Sequence, residues 1–369
     1  VVRVLAADRR AQIVALAQGN GSVRVTDITA TLRVSEATAR RDLDALAADG
    51  VVTKVYGGAT LNRARRSTST VQVGVMLPAS TAYYPRIIDG IREASDQAPP
   101  QVTLNLNLAR TGIPNETMAD VLATERAAID SLLAQGVDGL LLMPALPPSD
   151  QVTPATTAYA DWLAELPVPT VLVDRELPDL RIGGPSTVRT GHERGAAAAV
   201  RALAELDHRR IALLARADTQ TSELIKDGWR RGLAEVGLEV DDSLCLTGKA
   251  TLDWAGWTND ALDGMLDHLT GSGATAVVCH NDDDALTLVA RARARGLGIP
   301  DELSIIAYED EFAALSNPAL TAIAPRRRQL GRLALRTLLE LIQGKDSGSR
   351  HLMLDPELVV RDSVAPPTS

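Results

Sequence analysis

From Val71 onward, short apolar runs alternate with longer segments whose apolar positions recur every three or four residues. VQVGVML, VTLNLNL, Gly139 to Met143, PTVLVD, RIALLA, LCLT, AVVC and LSIIAY have the length and branching of buried strands. Between them, Tyr83 to Asp96, Glu116 to Ala134, Ala158 to Glu165 and Arg194 to Leu206 have helical periodicity. So do Leu224 to Val236, Asn259 to Leu269 and Asp284 to Arg295. A last helix from Arg326 to Gln343 precedes an extended HLMLDPELVVR, and PPTS reads as a frayed end. Such alternation predicts parallel sheets with helices on both faces, and the strand count calls for two lobes.

The first sixty residues have a different pattern. Arg9 to Gln18 places Ile13, Leu16 and Ala17 on one helical face, and Thr26 to Leu32 is a second short helix. Ser35 is suited to cap a third, on which Ala39, Leu43 and Leu46 form the apolar stripe. After Asp49-Gly50 the alternating VVTKVY ends at Gly57-Gly58, which reads as a small hairpin, or wing. Three helices with a tight turn before the third, then a wing, make a winged helix-turn-helix, whose third helix enters the DNA major groove. The expected division is a head over 1–62, a linker over 63–70 (RARRSTST), a two-lobed body over 71–363 and a disordered tail over 364–369.

Charge sharpens this division. Residues 1–66 hold eleven Lys and Arg against six Asp and Glu, whereas the whole chain carries −9. A cationic head on an acidic body is the footprint of a DNA-binding module joined to something that does not touch DNA. Two cysteines, Cys245 and Cys279, lie in apolar strand-like runs and read as buried thiols. The longest apolar run, GLLLMPAL, falls far short of a membrane span, and no leader pattern is visible, so a cytoplasmic protein without a membrane partner is expected.

The head resembles the DeoR family of bacterial repressors through Val34-Ser35, Thr38, Arg40-Arg41-Asp42-Leu43, Leu46, Gly50 and Gly57-Gly58-Ala59. The body resembles the effector domain of LacI/GalR repressors, itself similar to periplasmic sugar-binding proteins. The residues that carry this second likeness are VLVDR (171–175), HRRIA (208–212), CHND (279–282), GLGIPD (296–301) and SIIAYED (304–310). Together they imply an α/β fold class: an N-terminal winged helix-turn-helix followed by a two-lobed periplasmic-binding-protein-like domain. One departure is mechanistic. LacI-type proteins have, after their head, a hinge helix that enters the minor groove, and RARRSTST stands in its place here. Coupling through the spacing or rigidity of paired heads is therefore expected instead.

For DNA, the candidates are Arg24, Ser35, Glu36, Thr38, Arg40 and Arg41, with Lys54 and Tyr56 on the wing. For an effector, they are the residues just after each strand, because open α/β sheets bind ligands at strand carboxyl ends. Tyr83, Tyr84 and Trp254 match the aromatic positions that the resemblance implies, against the simpler reading of core filling or lobe packing. Asp174, Arg175, Asn281, Asp282 and Glu309 come after strands and suit a polyol, though such residues also cap helices, Asp282 especially. Glu223 stands where the resemblance implies an arginine. With Asp174 and Glu309 it suggests an acidic cleft, tempered by Arg175, that favours a neutral sugar or polyol, or a cation, over a sugar phosphate.

Enzymatic readings find little support. Gly271 to Ala276 fits a dinucleotide fingerprint as letters, but it precedes its strand. No phosphate-binding loop, metalloprotease motif, zinc or calcium spacing, or nucleophile elbow is present, and no metal or cofactor is expected. The reading is a dimeric regulator that binds double-stranded operator DNA, represses carbohydrate-utilisation genes and is relieved by a sugar-like effector. The other readings are an activator, a corepressor-dependent repressor, a plain sugar-binding protein, or a sugar-processing enzyme.

Overall fold

The computed structural model describes residues 9–10, 12–14, 16–17, 22–48, 51–61, 70–78, 83–99, 101–109, 117–147, 152–177, 184–217, 219–248, 257–345 and 348–368. In the head, the described part of 9–17 is helical, followed by β1 (Ser22–Arg24) and helices Val25–Leu32 and Glu36–Ala48. The wing is β2 (Val52–Val55) and β3 (Gly58–Leu61), and β1 joins it in a three-stranded antiparallel sheet of order β1-β3-β2. The sequence pattern missed β1, because three residues are too few to show alternation. Ile13, Ile28, Ala39, Leu43, Leu46 and Val52 share one small core.

Residues 63–69 of the expected linker lie outside the described residues, and Thr70, its last expected residue, opens the body's first strand. The first lobe contains β4 (Thr70–Pro78), β5 (Gln101–Ala109), β6 (Gly139–Leu142), β7 (Thr170–Val173) and β8 (Ser186–Thr190). The second contains β9 (Ile211–Arg216), β10 (Cys245–Gly248), β11 (Ala276–Cys279), β12 (Ser304–Tyr308) and β13 (Thr321–Ala324). Late in the chain β14 (His351–Leu354) returns to the first lobe and β15 (Glu357–Val359) to the second. The sheet orders are β14-β8-β7-β6-β4-β5 and β10-β9-β11-β12-β13-β15, parallel throughout except for the β13–β15 pair. β8 and β13 escaped the sequence reading because STVRT and TAIA are short and weakly apolar, and are buried through their tertiary setting.

Side-chain alternation fixes each sheet between two helical layers. Val171 and Val173 of β7 join the cluster under helix Arg327–Ile342, while Leu172 faces the cluster under Met118–Ala134 and Pro154–Ala164. The chain crosses between lobes three times, from β8 into helix His192–Glu205, from β13 into helix Arg327–Ile342, and from β14 into β15. Helices Pro85–Gln97 and Arg327–Ile342 meet at Gly90 and Gly331. A Cβ on either would lie 2.0–2.1 Å from the facing backbone carbonyl, of Arg328 or Ile87, so only glycine permits this approach.

Residues 364–368, expected to be disordered, are pinned to the second lobe. Ala365 N donates to Ser304 Oγ, Ala365 O lies 2.9 Å from His208 Nε2, and Thr368 Oγ1 donates to Asp301 O. The buried Ser363 Oγ accepts from Thr321 N and donates to Ile305 O. Hydroxyls bridging to backbone groups hold this segment where apolar periodicity gave no sign of it. Neither cysteine is in a disulfide, and Cys279 is buried.

Candidate functional site

The head presents its third helix, Glu36–Ala48, beside the wing. Ser35 Oγ accepts from Thr38 N at 3.3 Å and lies 2.9 Å from Thr38 Oγ1, so the expected cap forms and engages both hydroxyls. Asp42 is buried and takes two hydrogen bonds from Arg9, tying the first helix to the third. Arg40 pairs with Glu36 and Lys54 with Asp44, both at exposed positions where such pairs are weak and readily exchanged for phosphate contacts. Arg24 and Arg41 are exposed, and among the described residues Arg41 makes no ion pair. Tyr56 stands fully exposed at the wing tip, beside Gly57 at φ 79°.

In the body, the strand order reverses at β4 in the first lobe and at β9 in the second. Ligands bind open α/β sheets at such switch points, and the segments after both strands line one cavity of about 280 Å³. From the first lobe come Pro78, Tyr83 and Tyr84 after β4, Ala145 and Leu146 after β6, Arg175 after β7, and Met118. From the second come Arg216, Thr219, Gln220 and Thr221 around the end of β9, His280 and Asn281 after β11, and Tyr308-Glu309. His192, at the crossover from β8, completes the wall. One side is thus mainly aromatic and aliphatic, and the other mainly polar.

The expected effector residues divide into wall and brace. Tyr83, Tyr84, Arg175, Asn281 and Glu309 line the cavity. Asp174 lies beneath it, accepting from Tyr83 Oη at 2.6 Å and Thr190 N at 2.8 Å, with His192 Nε2 at 3.5 Å. Burial alone would raise the Asp174 carboxyl, but His192, Arg175 and the Tyr83 hydroxyl reverse this and hold it below the usual range. Asn281 Oδ1 caps helix Asp282–Ala294 by accepting from Asp284 N. Asp282 Oδ2 accepts from the backbone of Glu311, Phe312 and Ala313, bracing the loop after β12. Glu223 is half-buried but is not among the residues lining the cavity. Trp254 lies outside the described residues.

The wall is therefore less acidic than the sequence suggested. Arg175 and Arg216 both line it, Arg175 donating to Tyr84 Oη and Arg216 pairing in two hydrogen bonds with buried Asp284. Burial, reinforced by Asp282, pushes the Glu309 carboxyl up to about 8. Each cation thus has an adjacent carboxylate, and Glu309, the one carboxylate among the described wall residues, is largely neutral near pH 7.

Sequence reasoning missed several wall and bracing residues. Arg216 ends β9, and His280 comes directly after β11, where the strand-end rule that picked Asn281 also applies. Gln220 bridges the lobes: its Nε2 donates to Glu176 O at 2.8 Å and its Oε1 accepts from Glu176 N at 3.2 Å. On the opposite side Arg327 donates to Glu309 O and Glu311, with its guanidinium 5.2 Å from the centre of the Tyr83 ring. His192 Nδ1 and Tyr308 Oη are 3.0 Å apart, so Tyr83, Asp174, His192 and Tyr308 form a polar chain across the lobes.

A two-lobed binding body with a winged DNA-binding head defines a ligand-binding transcriptional regulator. Residues 9–65 match the DeoR-like helix-turn-helix domain, and residues 200–364 the periplasmic binding protein-like domain. The transcriptional repressor PurR of Vibrio cholerae serotype O1 (strain M66-2) is 28% identical over 319 residues, spanning 84% of this chain and 85% of that protein. The repressor CytR of Escherichia coli (strain K12) is 31% identical over 241 residues, 65% of this chain and 66% of that one. Among solved structures, the regulator CelR in complex with cellobiose superposes with a TM-score of 0.62 at 26% identity, covering 95% of this chain and 98% of CelR. The chain thus joins a DeoR-type head to a LacI/GalR-type effector body. Among the described residues no helix is long and apolar enough to cross a membrane.

Proposed function

We propose that the protein is a repressor whose grip on an operator is relieved by a small, uncharged, sugar-like ligand bound between the lobes. The observation that carries this is the cavity where both topological switch points converge, with an aromatic wall on one lobe and hydrogen-bonding groups on the other. A flat apolar face with hydroxyls along its edge fits those two walls. The compensation of Arg175 by Asp174 and of Arg216 by Asp284, beside a largely neutral Glu309, favours a neutral molecule over either ion. Relatives carrying the name repressor, and CelR bound to cellobiose, point the same way. The genes governed would be those of carbohydrate use, and the site of action the cytoplasm, where the DNA lies.

The head acts in pairs on this reading. One recognition helix reads few base pairs, and a homodimer reads a near-palindrome. Arg41 is the side chain best placed to read a base, being exposed on the recognition helix without an ion pair among the described residues. With an operator selected from random duplex DNA, Arg41→Ala should weaken binding by about 1–3 kcal/mol if Arg41 grips a guanine. The loss should be concentrated at one base pair of each half-site when single-base variants are titrated. An equal loss on every variant would reassign Arg41 to phosphate.

A further inference from the structure

We propose that His280 is a specificity-determining residue of the cavity, whose imidazole pairs with a hydroxyl of an uncharged ligand. The inference rests on the ligand-binding reading above and names the contact that selects the ligand. His280 is 7% exposed, lines the cavity, and its Nδ1 is buried with no hydrogen-bond partner among the described residues.

The other four histidines of the chain are each held by the protein through a ring nitrogen, although His192 Nε2 is also buried without a hydrogen-bond partner. His192 Nδ1 meets Tyr308 Oη, His208 bridges Thr275 and Ala365 O, His268 Nε2 meets Ser243 O, and His351 Nδ1 meets Thr187 Oγ1. Each has at least one ring nitrogen satisfied by the protein. A buried polar atom left unpaired costs free energy, and the cost is recovered when a ligand supplies the partner.

The neighbours of His280 explain why this residue, and not the pair after it, meets the ligand. Its backbone N donates to Leu214 O, which fixes the segment at the end of β11 beside β9. Asn281 Oδ1 is engaged as a helix cap, and Asp282 braces the loop after β12. The imidazole remains, flanked in the wall by Arg216 and Asn281. Burial together with the Arg216 charge pushes its pKa down to about 3, so the ring stays neutral. A neutral ring has one donor and one acceptor nitrogen, and a hydroxyl can meet either, which suits a sugar-like molecule. A cationic ligand would instead face Arg175 and Arg216 across the same small volume.

The test uses the full-length chain and calorimetric titration with D-ribose, cellobiose and uridine as uncharged probes. Glucosamine serves as the cationic control and ribose 5-phosphate as the anionic one. At least one uncharged probe should bind, and His280→Leu should weaken it by about ten- to hundredfold. His280→Asn, whose amide also offers a donor and an acceptor, should restore part of the affinity. Deoxy analogues of the bound probe should include one that binds weakly to the native chain and is indifferent to His280→Leu. Unchanged affinity in His280→Leu, binding by the charged probes alone, or binding by none of the probes would overturn the assignment. Operator affinity of the native chain without any probe reads the repressor function separately.

Discussion

Replacing Asp174 by alanine should lower the stability of the body by about 3–5 kcal/mol, the cost of removing a buried carboxylate and leaving the groups around it unpaired. Asp174 is 4% exposed and accepts from Tyr83 Oη and Thr190 N, with His192 Nε2 at 3.5 Å. Alanine strips all three of their partner at once, and two belong to the polar chain between the lobes. Asp174→Asn should cost less, because an amide oxygen still accepts from Thr190 N and asparagine tolerates φ of 56°. Urea denaturation of the three chains checks this. An alanine cost below about 1 kcal/mol, the range of exposed ion pairs, would mean that the chain of groups does not hold the lobes. The depressed carboxyl contributes its stability above the ordinary aspartate range and loses it only as pH falls through the lower folded value. The contrast between the native and alanine chains should therefore shrink as pH is lowered below about 4.

Glu125 should produce the opposite pH signature. It lies fully buried in helix Met118–Ala134, accepting from Ala145 N at 2.8 Å and Tyr159 Oη at 2.9 Å. Ala145 lines the cavity, so this carboxyl braces part of the wall. Burial raises it to about 7, with the two hydrogen bonds and Arg175 opposing the rise. A folded pKa above the unfolded one means that stability is fully present below the unfolded value near about 4.3, and is lost as pH rises through about 7. Glu125→Gln should match the native chain near pH 5 and exceed it by on the order of 3 kcal/mol at pH 9. Taking the difference between the two chains cancels other titrating groups, including His208, which burial pushes down, and Glu309. Denaturation curves that stay parallel across pH would show that Glu125 does not change charge in this range.

The two lobes, the winged head and most helices were legible because each rests on local periodicity. The capping of Glu36–Ala48 by Ser35 is an example, since its signal lies within four residues. What was hidden depends on strand order. VQVGVML and RIALLA look like their neighbours in sequence, and only the assembled sheets make β4 and β9 the switch points that place Tyr83, Arg216 and Gln220 together. Division of labour at strand ends was hidden too. Asp174, Arg175, His280, Asn281 and Asp282 are all polar residues after strands. Packing of the opposite lobe and of the loop after β12 turns Asp174 and Asp282 into braces and leaves Arg175 and His280 in the wall. Glu223 stands out in the sequence as a departure from a resembled pattern, yet it does not line the cavity.

Gln220 both spans the cleft to Glu176 and lines the cavity, so a ligand there lies beside a contact between the lobes. Residues 62–69, which join head and body in the sequence, lie outside the described residues. Ligand-relieved repression is tested most directly by fluorescence anisotropy of a selected operator with the full-length chain, titrated with whichever uncharged probe binds the body. Binding should be tight without the probe and weaken by about 5- to 150-fold at saturation, the usual range of allosteric coupling. Operator affinity that is unchanged, or tightened, by a saturating probe would contradict relief of repression by the ligand.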